Sequence, residues 1–241
     1  DEAARLWHEA VRTLRRGSAD VAAGRLGYGS LGGSMVRVVL FDWDGTLAET
    51  RPAVVDAMEH TLAAYGREPW DETKRKYRDT SKSLKENFPN FFGEESVRAY
   101  DDYLAYYRVH GMRRIVPAPG AADFLRSCIS AGVGIYVVSN KEKTLLMAEV
   151  RHFFPDIVFN AVLGNGDAPR NKPAPDPVFA ALKNADFAIN RETVWLVGDS
   201  KQDTDCALAA GVLPVVIGNG KFMGEGELAQ YAAAGKVRSE E

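Results

Sequence analysis

The chain has 241 residues, 46% hydrophobic and 26% charged, with a formal net charge of −3. That is an ordinary globular composition, long enough for one large domain or for a core domain carrying a smaller one. The charge balance excludes an overall basic field for nucleic acid, and no apolar run approaches the roughly 20 residues that span a bilayer.

Residues 1–34 form the first segment. Leu6, Trp7, Ala10, Val11 and Leu14 recur at helical spacing, and Gly17 to Ser34 has the Gly/Ser composition of a flexible linker. Met35 follows directly, so one reading is a native start behind a fused segment. The rival reading is a native extension whose helix docks on a partner protein or on the domain itself through Leu6, Trp7, Val11 and Leu14.

Val36 to Phe41 is an apolar, β-branched run that predicts a buried strand. Asp42-Trp43-Asp44-Gly45-Thr46 comes immediately after it. Two carboxylates two residues apart at a strand end repel each other, and their burial needs a partner. A hard divalent cation such as Mg²⁺ meets both needs with oxygen ligands. Gly45 permits a sharp turn, and the Thr46 hydroxyl with nearby N–H groups can face an anion. An Asx-rich turn is the plain alternative for this stretch taken alone.

A helical insert follows, with helices predicted over Pro52 to Tyr65, Asp71 to Asn87 and Glu94 to His110. Arg75, Lys76, Arg78, Lys82 and Lys85 make it locally basic. A solvated helix face accounts for most of them, and Lys82 is the candidate for binding an acidic substrate tail. Phe88, Phe91, Phe92, Tyr100, Tyr103, Tyr106 and Tyr107 read as the core of the insert rather than as a base-stacking platform.

Strands and helices then alternate. A helix from Pro119 to about Ala131 precedes the strand Val133 to Val138, which ends in Ser139-Asn140. A helix from Lys141 to about His152 leads to a short strand, Ala161 to Leu163. Asn171-Lys172-Pro173 stands before a helix from Asp176 to about Ala185. The strand Val194 to Val197 ends in Gly198-Asp199-Ser200, and a helix from Gln202 to Ala210 leads to a last strand, Leu213 to Ile217. Alternation of this kind predicts a parallel sheet covered on both faces, with ligands bound beyond the carboxyl ends of its strands. Asp42, Asp44, Ser139 and Asp199 all fall at such ends. Cys128 and Cys206 have no Cys or His at metal spacing, so they read as reduced, packing cysteines of a cytosolic protein.

The chemistry follows from the residue types. Asp42 is the candidate nucleophile, able to form an aspartyl-phosphate that water then hydrolyses. Asp44 is the candidate acid and base, protonating the leaving oxygen and then taking a proton from water. Asp199 is a candidate ligand of Mg²⁺, with Asp203 one helical turn on in support. A helix N-cap with a first-turn acid explains that pair equally well. Lys172 can neutralise a phosphoryl group, and Ser139 and Asn140 can donate hydrogen bonds to it. A solvated loop lysine and an ordinary helix N-cap are the plain alternatives.

Together these motifs resemble the haloacid dehalogenase superfamily of phosphohydrolases. The resemblance rests on Asp42 to Leu47, on Ser139-Asn140, on Lys172 in Asn171 to Pro177, and on Gly198 to Asp203. It implies an α/β fold, a Rossmann-like parallel sheet over 35–48 and 117–241, with an inserted α-helical cap over 49–116. It implies a phosphatase with Asp42 as nucleophile, Asp44 as acid and base, and Ser139 and Lys172 on the phosphoryl group. Mg²⁺ would sit on the Asp42 carboxylate, the Asp44 carbonyl and Asp199, with Asp203 assisting. Asp44 separates the chain from the dehalogenase branch, which lacks that residue. The stretch 79–89 resembles phosphoglycolate phosphatase-like caps, with Ser81 and Lys85 where those often carry Gly and Arg. The expected substrate is a small phosphorylated metabolite, phosphoglycolate first. A sugar phosphatase, a nucleotidase, a phosphoglucomutase and a regulatory protein on the same fold are the alternatives.

Overall fold

The structure is a computed structural model that describes residues 36–79, 82–217 and 238–239. The helix and linker predicted within residues 1–34 lie outside the described residues. The chain divides into two compact units, and Ala48–Pro117 is one of them.

The larger unit is built on a six-stranded, wholly parallel sheet. Its strands are β1 (Val38–Phe41), β4 (Gly134–Glu142), β5 (Ala161–Asn165), β6 (Val194–Gly198), β7 (Leu213–Val216) and β8 (Arg238–Ser239), in the order β5-β4-β1-β6-β7-β8. Every residue of β1 and β6 is buried, as expected of strands with helices on both faces. The helices are α5 (Ala121–Ser130), α6 (Lys143–Phe153), α7 (Asp176–Ala181) and α8 (Lys201–Ala210). Val38, Leu40, Val138, Val178, Leu196, Cys206 and Ala207 pack into one core cluster. The chain runs from β1 outward to β4 and β5, then returns to the other side of β1 for β6 and β7. That reversal puts the topological switch point at the carboxyl end of β1, where sheets of this type bind ligands.

The smaller unit holds α1 (Arg51–Ala64), α2 (Trp70–Tyr77), α3 (Leu84–Phe92) and α4 (Ser96–His110). A two-residue ribbon, β2 (Ala48–Glu49) against β3 (Val116–Pro117), brings the two ends of the unit side by side. Phe88 is its aromatic hub, stacked on Phe92 at 5.1 Å and edge-on to Tyr100 at 4.9 Å. Tyr106 departs from the predicted aromatic core. It stacks on His60 at 4.0 Å and donates to Asp56 at 3.2 Å.

The single helix predicted from Asp71 to Asn87 is two helices. Ser83 opens α3 with a capping box to Glu86, which satisfies N–H groups at a new helix start. The buried Asn87 amide donates to the carbonyls of Asp79 and Ser83 and accepts from the Asp79 N–H. It thereby replaces the helical bonds that the break removes. Strand β4 also runs further than predicted, through a register shift between Val138 and Glu142. Consequently Glu142, not Ser139, caps α6 by accepting from the Leu145 N–H at 2.9 Å.

Candidate active site

The site begins where β1 ends. Asp42 continues the ladder, its N–H donating to the Val197 carbonyl at 2.8 Å, and then the chain turns sharply. Gly45 has φ +83°, and a Cβ there would run into the Asp199 carboxylate. Glycine is required because the turn after β1 and the end of β6 approach within a side chain's thickness. Gly198, at the end of β6, meets a similar limit, since a Cβ on it would overlap the Asp203 side chain.

Three carboxylates meet at this point. Asp42, Asp199 and Asp203 each offer an oxygen within 4.8 Å of the others, and all three are buried. Lys172, only 3% exposed, bridges two of them, with Nζ at 2.6 Å from Asp42 and 2.6 Å from Asp203. Burial and repulsion from Asp203 push the Asp42 carboxyl up to about 7, against the pull of Lys172. Burial, then repulsion from Asp42 and Asp203, pushes Asp199 up to about 9. Burial works against the Lys172 ammonium, but Asp203 and Asp42 outweigh it and its pKa is raised.

The remaining predicted residues take different places. Thr46 is wholly buried, and its hydroxyl has no hydrogen-bond partner among the described residues. Ser139 is buried, and its hydroxyl oxygen accepts from the Lys141 N–H at 3.2 Å, which leaves the hydroxyl proton to donate. Asn140, read as a phosphate ligand, is committed to the backbone of Lys172. Its amide donates to the Lys172 carbonyl at 2.8 Å and accepts from the Lys172 N–H at 3.0 Å, and it also reaches Gln202 at 3.1 Å. Asp203 accepts from Ser200 N–H at 3.1 Å through one oxygen, in the capping box that opens α8, while its other oxygen faces Lys172. Asp44 is not in the carboxylate cluster; its carboxylate is held by Lys141 at 2.8 Å. Lys82 belongs to the smaller unit, where it is exposed and pairs with Asp79 at 3.4 Å.

Lys141, Glu149 and Gln202 escape a reading of the sequence. For Glu149 a signal exists: on α6 it falls on the buried face with Leu145, Leu146 and Val150. A carboxylate on an apolar helix face needs a partner, and here Lys141 and the Trp43 indole supply it. Cys128 and Cys206 are free and buried, and burial pushes both thiols up to about 12. No described helix is long and apolar enough to cross a membrane.

Three clustered buried carboxylates, two of them held by one lysine, are costly to fold, and at the strand ends of a Rossmann-like sheet such a cost marks the chain as an α/β enzyme. The family model for haloacid dehalogenase-like hydrolases matches residues 39–217. The chain belongs to that family and is a phosphatase. A phosphoglycolate phosphatase of Rhodospirillum rubrum is 30% identical over 195 residues, covering 76% of this chain and 79% of its own. A pyrophosphatase of Halalkalibacterium halodurans is 26% identical over 183 residues, covering 76% and 84%. Among solved structures, a haloacid dehalogenase-like hydrolase of Bacteroides fragilis superposes with TM-score 0.71 at 22% identity, covering 81% of this chain and 93% of its own. The CbbY protein of Rhodobacter sphaeroides, solved as a mutant with xylulose bisphosphate, gives 0.70 at 24% identity, covering 84% and 93%. These two structures share the fold.

Proposed function

We propose that the chain hydrolyses small phosphomonoester metabolites in a Mg²⁺-dependent reaction through an aspartyl-phosphate on Asp42. The observation that carries this reading is the buried cluster of Asp42, Asp199 and Asp203 around Lys172. Its donors are all oxygen and its carboxylates outnumber its one ammonium, so it fits a hard divalent cation. Asp42, Asp199 and the Asp44 carbonyl are the assigned ligands. Asp203, with its oxygens already committed to Lys172 and Ser200, holds the lysine in place and assists. Bound there, Mg²⁺ supplies charge neutralisation for the phosphoryl oxygens.

Asp42 attacks phosphorus, forming an acyl phosphate as the bond to the leaving oxygen breaks. Asp44 gives that oxygen its proton, then accepts one from the water that attacks the acyl phosphate. Phosphate leaves and Asp42 is regenerated. Lys172 and the hydroxyls of Ser139 and Thr46 bind the phosphoryl oxygens, and Asn140 positions Lys172 by its two backbone bonds. The helical unit Ala48–Pro117, inserted in sequence directly after the catalytic turn, is the assigned cap and selector of the leaving group, with Lys82 as its candidate for an acidic tail.

Phosphoglycolate is the first substrate to test, because several relatives carry that name. The test is phosphate release with Mg²⁺ from phosphoglycolate, a sugar bisphosphate and p-nitrophenyl phosphate, compared with Asp42→Asn. The variant is expected to lose on the order of 1,000-fold or more. Equal rates would refute the nucleophile. A rearranged phosphosugar without free phosphate would replace hydrolysis with a mutase reaction.

A further inference from the structure

Asp44 is one member of a closed ring of side chains, and the reaction outlined above does not use the other three, Lys141, Glu149 and Trp43. Lys141 Nζ lies 2.8 Å from Asp44 Oδ1 and 3.2 Å from Glu149 Oε1, and the lysine side chain is 7% exposed. Glu149 is almost wholly buried, and its Oε2 accepts from the Trp43 indole N–H at 2.6 Å. Trp43 is buried too, edge-on to Phe154 at 5.8 Å. The ring therefore starts and ends on the same turn, since Trp43 and Asp44 are neighbours in sequence. It ties together the turn after β1, the end of β4 and the buried face of α6.

We propose that Trp43, Glu149 and Lys141 form a strut that fixes the Asp44 carboxylate for proton transfer, which makes Lys141 a positioning residue; the proposal rests on the phosphatase reading above. Two features separate the strut from ordinary packing. First, the Asp44 side chain is 36% exposed, so packing alone does not hold its rotamer, whereas the lysine that grips it is buried. Second, the strut repeats the arrangement at the nucleophile, where Lys172 also bridges two carboxylates. A buried ammonium between acids contributes little net stability, because desolvation offsets most of the attraction. What it does contribute is a fixed direction. A proton donor gains its rate only when aimed at the leaving oxygen, and the strut supplies that aim.

The test compares two substrates. An alkyl phosphate has a poor leaving group that needs the Asp44 proton, while p-nitrophenyl phosphate has a good one that does not. The ratio kcat/KM covers steps up to formation of the acyl phosphate. Lys141→Met is expected to lower kcat/KM on the alkyl phosphate about 10- to 100-fold and on p-nitrophenyl phosphate less than about 3-fold. Glu149→Gln and Trp43→Phe should move it in the same direction by less, and Lys141→Arg should recover part of the alkyl rate. Glu149→Gln and Trp43→Phe also keep the test intact if Lys141→Met does not fold. Equal losses on both substrates in folded variants, or no loss on either, overturn the strut while leaving the phosphatase reading in place. A wild-type protein that releases phosphate from neither substrate overturns that reading itself, and the strut with it.

Discussion

Gly45 carries the tightest steric requirement at the site. Its positive φ and the Asp199 carboxylate both stand where a side chain would go. Gly45→Ala is therefore expected to cost about 1–3 kcal/mol in a urea titration. The larger effect should be on phosphate release, because the Asp199 carboxylate must move to admit the methyl group. Full activity in the Gly45→Ala variant would show that the turn relaxes without disturbing Asp199. Lys172 sets a second expectation at this scale. Lys172→Ala leaves Asp42 and Asp203 facing each other without their shared cation, at a cost of about 3–5 kcal/mol, and activity should fall even where the variant still folds. Thermal melting alongside turnover separates the two losses.

Helix boundaries in the smaller unit depend on one buried amide. Asn87 donates to the carbonyls of Asp79, Lys82 and Ser83, so Asn87→Ala should destabilise the unit by about 1–3 kcal/mol, and Ser83→Ala by about 1 kcal/mol through the lost cap. Hydrogen exchange over α2 and α3 would localise both effects; protection unchanged from wild type would mean that the break is held by something else. The same residue shows where sequence reading reaches its limit. Buried runs such as 38–41 and 194–198 declare parallel strands by composition, and the alternation of strands and helices declares the sheet. A helix break stabilised by a side chain eight residues away leaves no periodic trace. The β2–β3 ribbon, two residues a side, is too short to have a period at all. Asp42 and Asp199 stand out because strand ends are predictable and polar residues there are conspicuous, and Ser139 because it follows the apolar run, where the regular pairing of β4 breaks off after Val138. Asn140 and Lys141 are harder to place because β4 runs on through an irregularity to Glu142, so their partners follow from tertiary contacts and not from a helix start.

Across the whole molecule, the acidic centre ties stability to pH and, on the proposed reading, to a bound cation. The Asp42 and Asp199 carboxyls stand at about 7 and about 9 in the folded protein, above their ordinary 3.8. Between those limits the folded state holds protons that the unfolded chain has released. Stability without metal therefore falls as pH rises from about 4, by up to about 1.4 kcal/mol per pH unit for each proton retained, until the folded pKa is passed. Lys172 has linkage of the same sign in a higher pH window. Its raised pKa contributes stability that is present below its ordinary 10.5 and lost only above, so it leaves this acidic slope untouched. On the proposed reading Mg²⁺ would bind the deprotonated carboxylates and compete with those protons, so its stabilising effect should grow with pH. At a concentration 100 times its Kd it should add about 2.7 kcal/mol. Urea titrations near about pH 5 and about pH 8, with a chelator and with MgCl₂, resolve the two contributions. Asp199→Asn should flatten the metal-free slope, raise metal-free stability at the higher pH, and abolish most of the Mg²⁺ response. A metal-free protein that gains stability from pH 5 to pH 8, with no difference between wild type and Asp199→Asn, would mean that the three carboxylates do not share one electrostatic centre.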